Sequence, residues 1–238
     1  MFERLLSIDK NMAESVLLLG PRGTGKTFWL KSQFPNCLYF DLLHSGTYTA
    51  FLADPSLIES RIPSQYHDWI IIDEIQKIPV LLNEVHRLIV NKGHRFILTG
   101  SSARSLRKKG TNLLAGRALT YHMHPLTAIE LNTEFDLTQA LTKGMLPWVY
   151  RSKHPDDYLK SYVITYLKEE VQQEALTRNM ALFTRFLTAA SFSQGETLNY
   201  TDIAREVGTT RQTISNYFDI LDDLLIETRL PVFTKRAK

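Results

Sequence analysis

Residues Gly20-Pro21-Arg22-Gly23-Thr24-Gly25-Lys26-Thr27 spell G-x-x-x-x-G-K-T, and their flanks fix the reading. Ser15 to Leu19 is an apolar run with the character of a buried strand. Phe28 to Phe34 continues as a helix. Strand, glycine-rich loop and helix in that order make a phosphate-binding loop. The loop must wrap a polyphosphate with backbone N–H groups, so it needs glycines that tolerate positive φ and close approach. The helix N-terminus adds a favourable dipole for the anion. Gly20, Pro21, Arg22, Gly23, Thr24 and Gly25 form the cradle, Lys26 reaches the β- and γ-phosphates, and the Thr27 hydroxyl coordinates Mg²⁺.

A partner motif lies downstream. Trp69-Ile70-Ile71-Ile72 reads as a strand buried on both faces. Asp73 and Glu74 then stand at its C-terminal end, where open α/β sheets bind their ligands. Asp73 fits the role of holding Mg²⁺, directly or through its water. Glu74 fits the general base that polarises the attacking water.

Composition narrows the class. Hydrophobic residues make up 44% and charged residues 22% of the 238, the balance of a globular chain. The lone Cys37 rules out an intramolecular disulfide framework and fits a reducing cytoplasm. No apolar run approaches a membrane span, and the first residues lack a signal-peptide core. Charge is unevenly placed. Between Val85 and Ile129 there is no acidic residue, but there are Arg87, Lys92, Arg95, Arg104, Arg107, Lys108, Lys109 and Arg117. Such a block suits nucleotide phosphate, nucleic acid or an acidic partner, and it equally suits a solvated basic face.

Apolar runs alternating with helical patterns signal an α/β parallel sheet. Strands are expected at Val16–Leu19, Cys37–Leu42, Ile70–Ile72, Arg95–Thr99 and Ala118–Met123. Helices are expected at Tyr48–Ser60 and from Pro79 to a stop at Gly93. One strand falls between the two motif strands in sequence, which suggests the additional-strand division of P-loop proteins. The fourth strand ends in the hydroxyl-rich Thr99-Gly100-Ser101-Ser102, which reads either as a turn or, in the resemblance given below, as the place of a polar γ-phosphate sensor. Ser102 is the first choice, followed by Ser101 and Thr99. His122 and His124, two apart on a strand, read as structural rather than metal-binding.

Past Pro125 the pattern turns helical. Residues 1–125 form the P-loop core, 126–180 a small helical lid and 181–238 a winged helix-turn-helix. In the last segment Ala181–Phe192, Thr201–Val207 and Arg211–Leu225 are helices, with Thr201 as N-cap and Gly208-Thr209-Thr210 as the tight turn. Ile226–Phe233 is expected as a wing strand. Arg211 and its neighbours offer donors to base edges and phosphates. However, Asp219, Asp222 and Asp223 lie on the same helix, which weakens DNA binding and leaves protein contact open.

These residues resemble the prokaryotic AAA-type ATPases that carry a winged helix and then a C-terminal domain of unknown function. The shared segments include Gly20–Thr27, Tyr39-Phe40-Asp41-Leu42, Asp73-Glu74-Ile75-Gln76-Lys77-Ile78-Pro79, Phe96–Arg104, Leu114–Ala118, Tyr166–Glu170 and Leu198-Asn199-Tyr200. The resemblance implies ATP binding and hydrolysis with Mg²⁺. It also implies that the last domain is absent, since the chain stops at Lys238. Gly144-Met145-Leu146-Pro147 stands where Gly-Gly-x-Pro is usual. Arg104 or Arg117 is the expected arginine finger, in cis or from a neighbouring subunit of a nucleotide-dependent homo-oligomer. The alternative function is a nucleotide-controlled DNA-binding or regulatory module with negligible turnover.

Overall fold

Five strands, β1 (Ser15–Leu19), β2 (Leu38–Asp41), β3 (Trp69–Asp73), β4 (Arg95–Gly100) and β5 (Ala118–His122), pair in parallel in the order β2-β3-β4-β1-β5. The computed structural model describes residues 2–102, 114–167, 171, 179–231 and 233. It divides into two compact units, residues 1–159 and 160–238. The division falls inside the stretch 126–180 that the sequence reads as one lid.

In space β4 lies between β1 and β3, as the additional-strand division requires, while β2, which falls between them in sequence, lies at the sheet edge. Val16 lies opposite Ile97, and Ile97 opposite Ile71. With Leu18, these residues pack against Trp29, Leu30 and Phe34. Trp29 and Leu30 belong to helix α1 (Lys26–Gln33), which Phe34 caps. The alternate residues Leu17, Ile70, Ile72, Phe96 and Leu98 are buried too. Covering on both faces is what makes these strands continuous apolar runs rather than alternating ones.

Helix α2 (Ser45–Ala53) and the short α3 (Leu57–Ser60) replace the single helix expected over Tyr48–Ser60. The reason is Pro55, which drives the residue before it out of the helical region. Asp54 is extended, and its Oδ1 accepts from Ser56 N at 3.0 Å. Helix α4 (Leu81–Lys92) buries Leu81, Leu82, Val85 and Leu88 and stops at Gly93, whose φ is 68°. Burial pushes the Cys37 thiol up to about 11, and its Sγ donates to Phe34 O at 3.0 Å, so it acts as a small packing residue.

Beyond β5, helices α5 (Ala128–Leu131), α6 (Leu137–Lys143), α7 (Pro147–Arg151) and α8 (Pro155–Ser161) follow, the last spanning the unit boundary. A capping box formed by Thr127 and Glu130 starts α5. Glu130 is also half of a buried ion pair. Arg4 Nε donates to its Oε1 at 2.8 Å, with side-chain exposures of 7% and 4%. The same guanidinium donates to Thr24 O at 2.7 Å and to His124 O at 2.5 Å. Burial raises the Glu130 carboxyl, but the N–H groups of Leu5 and Thr127 together with Arg4 bring it below its ordinary value. One arginine thus ties the N-terminal segment, the back of the glycine-rich loop and α5 together.

Removing one partner of a buried pair strands the other. Arg4→Met should therefore lower unfolding free energy by about 3–5 kcal/mol, read by urea denaturation near neutral pH. A loss below about 1 kcal/mol would place the pair among solvated ion pairs. The Glu130 contribution is present above the unfolded carboxylate range and is lost as pH falls through the lowered folded value.

In the second unit, α9 (Met180–Ser191), α10 (Tyr200–Val207) and α11 (Arg211–Asp223) surround one aromatic cluster. Phe183 and Tyr217 meet edge-on at 5.0 Å, as do Phe186 and Phe218. Ile214, Phe218 and Leu221 are buried, and since α11 ends at Asp223 rather than at Leu225, Leu224 is buried and Leu225 only half so. Asn199 rather than Thr201 caps α10, its Oδ1 accepting from Thr201 N and Asp202 N. Gly208, at φ 75°, turns the chain into α11, and the Thr210 hydroxyl caps it by accepting from Thr213 N at 3.1 Å.

The wing is corrected. Residues 226–231 and 233 form no strand. Arg229 bonds Asp219 at 2.8 Å and also Glu227, folding this stretch back along α11. Leu230 and Phe233 are 90% and 87% exposed, and Pro231 lacks the N–H that a ladder needs. No described helix is long and apolar enough to cross a membrane.

Candidate active site

β1 delivers the chain to the C-terminal edge of the sheet, where Gly20 N donates to Gly100 O at 3.2 Å. A side chain at position 20 would not fit, since a Cβ there would lie 2.3 Å from Met123 O. Gly23 and Gly25 adopt φ of 86° and 90°, the left-handed region in which glycine carries no steric cost. The Thr24 hydroxyl closes the curl on Pro21 O at 2.9 Å. Lys26 is 5% exposed, and its Nζ donates to Gly20 O at 2.6 Å and to Pro21 O at 3.2 Å. Its ammonium is thus already held within the loop. Helix α1 has no acidic residue of its own in its first turn.

Asp73 ends β3 and is 1% exposed. Three hydroxyls satisfy its carboxylate. Thr27 donates to Oδ2 at 2.7 Å, Tyr39 donates to the same oxygen at 2.5 Å, and Thr99 donates to Oδ1. Tyr39 comes from β2 and escaped the sequence reading. Burial and then its bond to Asp73 push its phenol far up, so it stays a donor. Thr27 and Asp73 converge as hard oxygen donors, the kind of set that suits Mg²⁺.

Glu74 sits in the left-handed region, at φ 62° and ψ 46°. For a residue with a Cβ this is a strained conformation. Its N–H is held by Thr99 Oγ1 at 2.9 Å. Its Oε2 accepts from Gln76 Nε2 and from Ser101 Oγ, the latter at 3.4 Å. β3 and β4 are paired neighbours, which brings Thr99 and Ser101 beside the carboxylate pair.

Residues 13–132 match the AAA domain family model, half of the chain. The chain belongs to the AAA domain family. With the phosphate loop and the five-stranded parallel sheet, it is a nucleotide-binding AAA protein of α/β fold. Residues 134–238 match a Domain of unknown function (DUF8612). This corrects the expectation that a C-terminal domain of unknown function is absent: the helical segment itself carries one. No curated protein matches the chain. Among solved structures it is similar to the Aeropyrum pernix Orc1 protein in complex with DNA. The identity is 15%, over 89% of this chain and 78% of that one, at a TM-score of 0.38. A likeness of that degree carries nothing further for this AAA domain.

The remaining expected residues divide. Thr99 and Ser101, the second choices for a sensor, bond the carboxylate pair, and Ser102 is fully buried just beyond them. Arg117 stands immediately before β5, and its carbonyl accepts from Ser15 N at 3.1 Å. Ser15 pairs with Ala118 and Leu19 with His122, so Arg117 marks the sheet edge opposite the glycine-rich loop. The strand between them rises roughly 3.3 Å per residue, so the length of β5 separates the Arg117 backbone from the loop. Arg104 lies outside the described residues, as do Arg107, Lys108 and Lys109.

Other parts of the basic block are used internally. Arg87 pairs with Glu59 and Glu84, and Lys92 reaches Glu59 at 3.8 Å. Arg95 stacks 4.8 Å over Trp69 and donates to the carbonyls of Lys10, Met12 and His67. The rings of His122 and His124 stack at 6.1 Å, and no metal-holding group of His, Cys, Asp and Glu occurs among the described residues.

Proposed function

We propose that this AAA domain hydrolyses ATP with Mg²⁺ and that nucleotide state is coupled to the segment 126–180 and to the helix-turn-helix in 181–238, in the cytoplasm. The observation that supports it best is the position of Glu74. Its carboxylate is fixed by Gln76 and Ser101 one residue past Asp73, which itself accepts from Thr27 at the end of the loop. Loop N–H groups and Lys26 bind the phosphates. Thr27 and Asp73 would hold Mg²⁺, which neutralises charge on the phosphate oxygens. Glu74 takes a proton from water as the water oxygen bonds the γ-phosphorus. The bond from that phosphorus to the β–γ bridging oxygen breaks, and ADP leaves with the electron pair. Ser102, with Thr99 and Ser101, reads the γ-phosphate. Arg104, or Arg117 from a neighbouring copy, serves as finger in a nucleotide-dependent homo-oligomer. Purified protein should release phosphate from ATP with Mg²⁺ and cease when the metal is chelated. Absence of turnover with ATP and Mg²⁺, alone and with DNA, would sink the hydrolase reading.

The second reading is a nucleotide-controlled DNA-binding module with negligible turnover. It is favoured by the exposed face of α11, where Arg211, Gln212 and Asn216 stand after a capped turn. Asp219 on that helix is paired with Arg229, which removes one repulsive charge. Fluorescence anisotropy at low salt, with and without ATP, discriminates. If neither duplex nor single strands bind, the helices serve a protein partner.

A further inference from the structure

Gln76 follows Glu74 in the short turn Ile75–Lys77, and it has no part in the family reading of the site. Its amide nitrogen donates to Glu74 Oε2 and to Ser101 Oγ, the latter at 2.9 Å. Ser101 Oγ in turn donates to the same carboxylate oxygen. Both amide protons are therefore used, and the three side chains close a triangle. The amide oxygen is buried with no hydrogen-bond partner among the described residues. The amide keeps this sense because, turned over, its oxygen would face the carboxylate. Room for that oxygen comes from Gly100, where a Cβ would lie 3.1 Å from it. A buried amide that leaves its own acceptor unpaired in order to donate to a carboxylate is an arrangement in need of an explanation.

We infer that Gln76 is a positioning residue for Glu74, an inference that rests on the hydrolysis reading. The strained turn at Glu74 fixes the backbone but not the side-chain torsions. The amide and Ser101 fix those, and both bonds fall on Oε2. That leaves Oε1 to take the proton from water. A carboxylate free to rotate spends much of its time out of line, and small misplacements of a catalytic group cost rate rather than binding.

The test compares wild type, Gln76→Met and Gln76→Glu, each also in a Glu74→Gln background. Met removes the amide at similar length, and Glu keeps its shape without the donors. ATP affinity is measured by calorimetry and turnover at saturating ATP by phosphate release. In both single variants turnover should fall by at least about tenfold, while affinity stays within about threefold. In the Glu74→Gln background neither variant should lower turnover much further, because both act through one group. Wild-type turnover in either variant, a rise in turnover, or a loss that persists undiminished beside Glu74→Gln would overturn the inference and leave the hydrolysis reading intact. Absence of turnover in wild type would overturn both.

Discussion

Lys26→Ala should abolish tight ATP binding. Lys26 Nζ is the buried cation inside the curl of the loop, held by Gly20 O and Pro21 O. The backbone N–H groups of the loop remain in the variant, but they are dipoles, and the ammonium brings a full charge to the β- and γ-phosphates. Hydrogen bonds to charged groups contribute about 1.5–3 kcal/mol each. Losing two such contacts weakens binding by about a hundredfold or more. Both loop carbonyls that lose this donor belong to buried residues, so folding of the variant needs its own measurement. Calorimetric titration with ATP and Mg²⁺ measures the effect, and a thermal melt confirms folding. Unchanged affinity in a folded variant would defeat the assignment of the glycine-rich loop as the nucleotide site.

The parts of this site legible in the sequence are those whose chemistry is local. The loop Gly20–Thr27 and the pair Asp73-Glu74 each announce themselves within a few residues, because backbone curl and strand end are set by neighbours in the chain. The sheet that unites them was legible too, since runs such as Ile70–Ile72 and Phe96–Leu98 are apolar on both faces. What escaped depends on register and on distant pairs. Tyr39 reaches Asp73 because β2 pairs with β3, which a list of apolar residues does not encode. Arg4 and Glu130 are separated by 126 positions, and either alone reads as a surface charge. Arg117 lies in a basic stretch, and only the parallel register of β1 and β5 gives the position of its backbone, just before β5. The wing failed for a related reason. A strand needs a partner, and Ile226 onward is instead held to α11 by Arg229. Pro55 carried a local signal for a break, but the expected helix was run through it.

Glu74→Gln should keep nucleotide binding and slow hydrolysis by about a hundredfold or more, the usual worth of a positioned general base. The substitution is clean for reasons specific to this site. The backbone at Glu74 is held in the left-handed region by Thr99 Oγ1, and the amide side chain leaves that bond untouched. Gln at 74 can still present an oxygen to the Gln76 amide and the Ser101 hydroxyl, so the side chain keeps its seat. It loses only the capacity to take a proton, since an amide oxygen is a far weaker base than a carboxylate. Asp73, with its three hydroxyl donors, is unchanged, so the metal donors and the phosphate contacts persist. Affinity for ATP should therefore stay near wild type while turnover collapses, and the variant should accumulate in the ATP-bound state. Single-turnover phosphate release beside calorimetric affinity separates the two effects. Turnover within a few-fold of wild type would mean that another group activates the water. An equal loss of affinity would mean that Glu74 holds the nucleotide rather than acting on water.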